Sequence, residues 1–166
     1  EGAADQLPAA TITQPAIDEG ILPTALIPIE GMGTDDVALE SISLEASVVK
    51  AGAAPTTRPA ADARVLGQTT GRNPRLTTAS TLDVSGMTVK PGDEVNIVAI
   101  AQDVFDLDGK RHDPTRSQPR RLRVIDQATM TIQIRNDLEA IRGQASRLET
   151  QQEHLASEHS PQNAAA

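Results

Sequence analysis

Four aspartates lie close together in residues 103–113, and their side chains could bind a metal ion. Carboxylates grouped on one loop are what a hard cation such as Ca²⁺ requires. The spacing departs from an EF-hand loop, because Val104 occupies the position of the first ligand and basic residues in the same loop compete with a cation. The pattern therefore favours a solvated turn over a calcium site. The candidate calcium ligands are Asp103, Asp106 and Asp108.

Basic residues cluster in the same part of an otherwise acidic chain. Such a patch could hold an anionic polymer, a lipid headgroup or an acidic partner. The same pattern describes a solvated loop followed by the outward face of a strand, and we favour this second interpretation. The residues of the basic patch are Lys110, Arg111, Arg116, Arg120, Arg121 and Arg123.

No grouping of residues predicts catalysis. The sequence has no Ser, His and Asp combination of a hydrolase and no glycine-rich phosphate loop before a helix. His154 and His159 match neither zinc-protease motif, and their spacing puts the two imidazoles on different faces of a helix. The absence of cysteine excludes disulfides and thiolate chemistry. We therefore expect a protein that is not an enzyme and that needs no cofactor.

Composition excludes further classes of function. The 166 residues suffice for one domain with appendages, but aromatic residues make up only 1% of the chain, so Ile, Val, Leu and Ala must form the core. Few flat rings are available for stacking on bases or sugars, and a net charge of -8 disfavours binding to nucleic acid or anionic lipid. No apolar run approaches the length of a membrane span. We expect no nucleic-acid partner and no membrane insertion within this sequence.

Short segments with a two-residue period predict β-strands. In residues 40–49, Ile42, Leu44, Ala46 and Val48 alternate with polar residues, which is typical of a half-buried strand. Gly31, Gly33 and the Asp35-Asp36 pair are expected to end an edge strand, residues 50–75 to form a long loop, and residues 90–93 to form a turn. The other predicted strands cover residues 10–14, 24–30, 76–84, 94–102 and 120–125.

Strands separated by Gly, Pro and Asp turns, with no helix between them, predict an antiparallel β-sandwich. After Asp126 the period changes, and apolar residues recur at alternating intervals of four and three, which indicates one long helix. The expected organisation is mainly β with a long C-terminal α-helix. Its parts are a linker over 1–9, the sandwich over 10–125, the helix over 126–159 and a disordered tail over 160–166.

The apolar stripe of this helix is a candidate protein interface. Ala145 and Gln152 fill two of its positions weakly, and Gly143 lowers helix stability. The stripe could form a coiled coil with a second copy or another protein, or pack on the sandwich of its own chain. Asp137 and Arg142 flank the stripe and could pair between parallel helices, which favours the coiled coil. The interface residues are Ile134, Leu138, Ile141, Leu148 and Leu155.

Two sequence blocks resemble a known class of domain. Residues 27–44 (IPIEGMGTDDVALESISL) and residues 89–124, which contain VKPGDEVNIVAIAQD, are similar to strands of bacterial immunoglobulin-like domains of the fibronectin type III and cadherin type. A sandwich that continues into a heptad helix resembles large bacterial envelope proteins. The resemblance implies that the fold is immunoglobulin-like, that the chain is part of a larger protein, and that it is located outside the cytoplasm. The core Trp and the tyrosine corner of immunoglobulin domains are missing from this sequence.

Overall fold

The computed structural model describes residues 6–53 and 62–158, in which seven strands and a short 3-10 helix (Val84–Met87) precede one long α-helix. The chain divides into two compact units after Asp126, a β-sheet domain and the helix. The prediction of a mainly β chain with a long C-terminal helix is confirmed. The strands are β1 (Ala9–Gln14), β2 (Glu19–Ile21), β3 (Leu26–Val49), β4 (Arg64–Asp83), β5 (Glu94–Asp103), β6 (Thr115–Arg116) and β7 (Arg120–Val124), and the helix is α1 (Gln127–Glu158).

The strands of the described residues form one hydrogen-bonded sheet in the order β1-β3-β5-β7-β2. Strand β4 pairs with β3 off this path, and β6 pairs with β5. Every pairing is antiparallel, as predicted, except the parallel pairing of β2 with β7. Strand β2 is only three residues long, so it carries no alternating pattern that the sequence analysis could detect.

Strand β3 is long because it continues through a bend. The expectation that Gly31, Gly33 and the Asp35-Asp36 pair end the strand is wrong, since pairing with β4 resumes at Leu39 after a register shift. At the bend, the Asp35 carboxylate accepts hydrogen bonds from the backbone N–H groups of Val37 and Ala38, at 3.1 and 2.8 Å. Before the bend β3 pairs with β1, and after it with β5. The bend therefore curls the sheet on itself.

Part of the predicted loop over 50–75 is strand. Residues from Arg64 onward belong to β4, which pairs with both parts of β3. This first part of β4 is rich in Thr, Gly and Gln and has little apolar alternation. Its strand conformation depends on backbone hydrogen bonds to β3 and not on burial of its side chains. Residues 54–61 of the predicted loop lie outside the described residues, as do residues 1–5 of the linker, residue 159 of the predicted helix and the predicted tail over 160–166.

The core lies inside the curl and is aliphatic. The inward residues predicted for β5, Val95, Ile97, Ala99 and Ala101, are fully buried. Gly31 of β3 faces them so closely that a Cβ atom at this position would lie 2.8 Å from Leu44 Cδ2 and 3.2 Å from Ala99 Cβ. Small side chains on β5 and a missing one on β3 thus let the two parts of the sheet pack tightly without aromatic residues.

Candidate functional site

The helix α1 presents an apolar stripe. The helix is 32 residues long. The residues predicted as an interface, together with Ala145 and Gln152, recur in it at alternating intervals of four and three. These side chains are 52% exposed at Ile134, 52% at Leu138, 60% at Ile141, 59% at Leu148 and 54% at Leu155. Each of them therefore keeps more than half of its apolar surface in contact with water.

Exposure of this stripe is unfavourable for a single helix. Burying one Leu or Ile side chain completely is worth about 1.5–3 kcal/mol relative to leaving it exposed. The helix also contains Gly143, which is surrounded by open space and costs about 1 kcal/mol relative to alanine. Most helices in proteins depend on packing of their apolar face and not on intrinsic propensity. The stripe is therefore the strongest candidate for a binding surface in the described residues.

One exposed apolar residue of the helix was not in the predicted interface. Ile132 is 57% exposed. It precedes Ile134 by two residues, a rotation of about 200° around the helix, so it lies away from the stripe. Ile132 therefore provides a position with the same side chain and similar exposure for testing whether the stripe is special.

The acidic loop does not gather its carboxylates around one point. Asp103 is buried at the end of β5, where its Oδ2 atom lies 2.6 Å from Nδ1 of His112. Asp106 instead accepts a hydrogen bond from the backbone N–H of Gly109 at 2.9 Å. Asp108 has a φ of 54° in a turn closed by bonds between Leu107 and Lys110. Within the described residues, no group of three or more His, Asp or Glu residues could hold a metal ion.

His112 closes this loop on two sides. Its ring stacks on Phe105 with centroids 4.1 Å apart and planes 4° apart, and Nδ1 meets the Asp103 carboxylate. The backbone carbonyl of His112 also accepts a hydrogen bond from the Gln102 side chain at 3.0 Å. This cluster was not predicted from the sequence, although the presence of a histidine and of Phe105, which is the single Phe, Tyr or Trp of the chain, in one loop was a usable signal.

Much of the predicted basic patch is paired with acidic residues. Arg111 forms an ion pair with Glu40, and Arg116 forms one with Glu45 at 2.7 Å. Arg120 lies 3.6 Å from Asp18. The first two pairs hold residues 111–116 against β3, and the third holds the start of β7 against the residues that precede β2. Exposed ion pairs of this kind each contribute about 0–1 kcal/mol.

The remaining residues of the basic patch, Lys110, Arg121 and Arg123, are exposed and form no ion pair within the described residues. Arg121 lines an open groove of about 360 Å³ together with Lys50, Glu94 and Asn96. This groove carries both signs of charge, with two basic side chains and one acidic side chain among its lining residues.

A buried carboxylate organises the turn before β5. The completely buried Asp93 side chain accepts hydrogen bonds from Lys50 Nζ at 2.9 Å and from the backbone N–H groups of Ala51 and Lys90, both at 3.1 Å. The Lys50 ammonium, followed by the Ala51 N–H, lowers the pKa of Asp93 from 3.8 to about 2. The ionised Asp93 side chain thus connects the predicted turn over 90–93 to the residues that follow β3.

This arrangement predicts a specific loss of stability in acid. The folded-state pKa of Asp93 lies below the unfolded value of 3.8, so the unfolded chain binds this proton more readily. The stabilising contribution is complete above that value and disappears as the pH falls towards about 2. We expect the difference in free energy of unfolding between the wild type and Asp93→Asn to shrink over this range, as measured by urea unfolding at several pH values.

The control for this experiment is Asp36→Asn, because Asp36 is exposed. Its difference from the wild type should stay nearly constant over the same pH range. A constant difference for Asp93→Asn as well would show that ionisation of Asp93 does not stabilise the fold.

These observations define a mainly β protein with a long C-terminal helix that carries an exposed apolar stripe. No protein-family model matches the chain, and no curated protein matches it. Among the described residues, no helix is both long enough and apolar enough to cross a membrane.

Proposed function

We propose that this chain is a non-catalytic structural module that assembles through its helix. The observation that carries the proposal is the row of more than half-exposed Ile and Leu side chains at heptad spacing on α1. A second helix can bury a narrow stripe of this kind, because the side chains of the two helices then insert between one another along a common seam. The partner helix belongs either to a second copy of the chain or to a different protein.

In this proposal the sheet domain is a spacer or docking domain of immunoglobulin-like type. The strand pairing supports this type. The last strand, β7, lies between β5 and β2, and the first strand, β1, pairs with the part of β3 that precedes the bend. The resemblance of residues 27–44 and 89–124 to bacterial immunoglobulin-like domains adds to it. On that resemblance we propose an extracytoplasmic location in a bacterial cell envelope.

Light scattering after size-exclusion chromatography tests the proposed assembly. We compare the full chain with a chain that ends at Asp126, the boundary between the two compact units. The full chain should show a mass above that of the monomer, and the shortened chain should be monomeric. The reason is that removal of α1 removes the entire apolar stripe.

Circular dichroism of the full chain completes this test. If the helix needs a partner, its helical signal should decrease on dilution, because isolated helices are marginally stable in water. A monomer with a poorly formed helix would indicate that the partner is a different protein. A monomer whose helix stays fully formed at every concentration would contradict the proposed function, since such a helix gains nothing from a partner.

A further inference from the structure

The heptad positions of the stripe can be assigned from its spacing. An interval of four leads from position d to position a, and an interval of three leads from a to d. Position d is therefore occupied by Ile134, Ile141, Leu148 and Leu155, and position a by Leu138, Ala145 and Gln152. Under this assignment Asp137 falls at g and Arg142 at e, the two positions that flank the seam.

The flanking charges are complementary to those of an identical parallel helix. In a parallel coiled coil, a g residue lies beside the e residue of the next heptad on the neighbouring helix. Asp137 of one chain would then lie beside Arg142 of the other, and symmetry repeats this contact between each pair of neighbours. Both residues are exposed on α1, so the pairing requires no rearrangement of the helix itself.

The polar residue in the seam distinguishes the two possible orientations. In a parallel, in-register assembly Gln152 faces Gln152 of the neighbouring copy, and the two amides can form hydrogen bonds with each other. In the antiparallel alignment that overlaps residues 138–155 of the two helices, Gln152 faces Ile141, and the buried amide has no partner. An antiparallel pair also brings Arg142 beside Glu149, so charge alone does not decide. A single polar residue at position a is known to set register in coiled coils.

We propose that the partner of α1 is a second copy of this chain, parallel and in register, with Asp137 beside Arg142 of the neighbour and Gln152 beside Gln152. This inference rests on the proposed function and names its partner. It places the N-terminal ends of the helices, to which the sheet domains are joined, at the same end of the assembly. Leu at a with Ile at d favours three or four strands over two, so the inference concerns the orientation of neighbouring copies and not their number.

Disulfide formation at one introduced cysteine tests the orientation, because the chain has no cysteine of its own. The full chain carrying Gln152→Cys should form covalent dimers under mild oxidation, since parallel chains bring the two sulfur atoms together at the seam. In the antiparallel alignment the same residues would lie about 16 Å apart along the axis, too far for a disulfide. The matched control is Glu153→Cys, the adjacent position, which points away from the seam.

A charge exchange provides the second arm of this experiment. Asp137→Arg should weaken assembly of the full chain by about fivefold, because it places two arginines side by side between parallel neighbours. Adding Arg142→Asp to this variant should restore the wild-type affinity. In an antiparallel assembly Arg142→Asp would instead face Glu149 and weaken assembly further. Sedimentation equilibrium measures each dissociation constant.

The possible results separate this inference from the proposed function. Crosslinking at position 152 but not at 153, with rescue by the charge exchange, supports the parallel copy. Assembly without crosslinking at 152 or without rescue overturns the inference and leaves helix-mediated assembly intact. A full-length monomer also overturns it. The proposed function fails together with it only if the helix of that monomer is stable on dilution.

Discussion

Replacing Leu138 and Ile141 with glutamate is expected to abolish self-association of the chain and to leave the sheet domain folded. Both side chains lie in the N-terminal half of the exposed stripe. A carboxylate buried in a helix seam without a partner costs several kcal/mol, so the double substitution should weaken assembly by at least about a hundredfold. Light scattering and sedimentation of the full chain measure this loss.

The thermal transition of the sheet domain provides the internal control, because the chain separates into two compact units after Asp126. That transition should not shift in the double variant. The matched substitution is Ile132→Glu, which introduces one glutamate at a similarly exposed isoleucine away from the stripe. If Ile132→Glu weakens assembly as strongly as the double substitution, general helix destabilisation and not the stripe is responsible.

Gly31→Ala is expected to destabilise the sheet domain by about 1–3 kcal/mol, the usual range for overpacking a close-packed core. The new methyl group would lie 2.8 Å from Leu44 Cδ2 and 3.2 Å from Ala99 Cβ. The leucine methyl can move by rotation, but the Ala99 Cβ is fixed to the backbone of the central strand β5. Urea unfolding of the full chain, followed by the β-sheet signal, measures the change in free energy.

Gly67→Ala is the matched control for this substitution. Gly67 lies in β4 of the same sheet, and a Cβ atom there would meet its nearest neighbour, Ser80 Cβ, at 3.4 Å, an ordinary contact. Its effect should stay within about 0.5 kcal/mol of the wild type, as is common away from strained or buried positions. Combining Gly31→Ala with Leu44→Val, which shortens the facing side chain, should give a smaller loss than the sum of the two single changes. Additive losses would show that the contact with Leu44 does not contribute and would leave the contact with the Ala99 Cβ as the cause.

Strong periodicity explains which elements could be predicted. Residues 40–49 alternate between apolar and polar side chains, and residues 94–102 place an apolar side chain at every second position from Val95 to Ala101. Both segments lie in strands with one buried face. The helix predicted over 126–159 is observed as Gln127–Glu158, because its intervals of four and three extend over several turns without a proline. In each case buried positions recur at a regular interval along the chain, so neighbouring residues suffice to identify the element.

Elements defined by backbone pairing were missed. The bend at Asp35 contains glycines and aspartates that normally end a strand, yet β3 continues because β4 pairs with it on both sides of the bend. The first part of β4 and the short strand β2 have little apolar signal of their own. Their conformation depends on hydrogen bonds to strands that are distant in sequence, which no local pattern encodes.

The sequence by itself determined the elements whose signal is local: the aliphatic core, the alternating strands, and the helix with its apolar stripe. Only the tertiary structure decided how the charged residues are used. Arg111 and Arg116 pair with Glu40 and Glu45 across 71 residues of sequence, and Asp103 is committed to His112 instead of to a shared metal site. The physical reason is that burial of one face of a strand or helix produces a repeat among neighbouring residues, which the sequence shows directly. An ion pair depends instead on which strands the fold brings side by side.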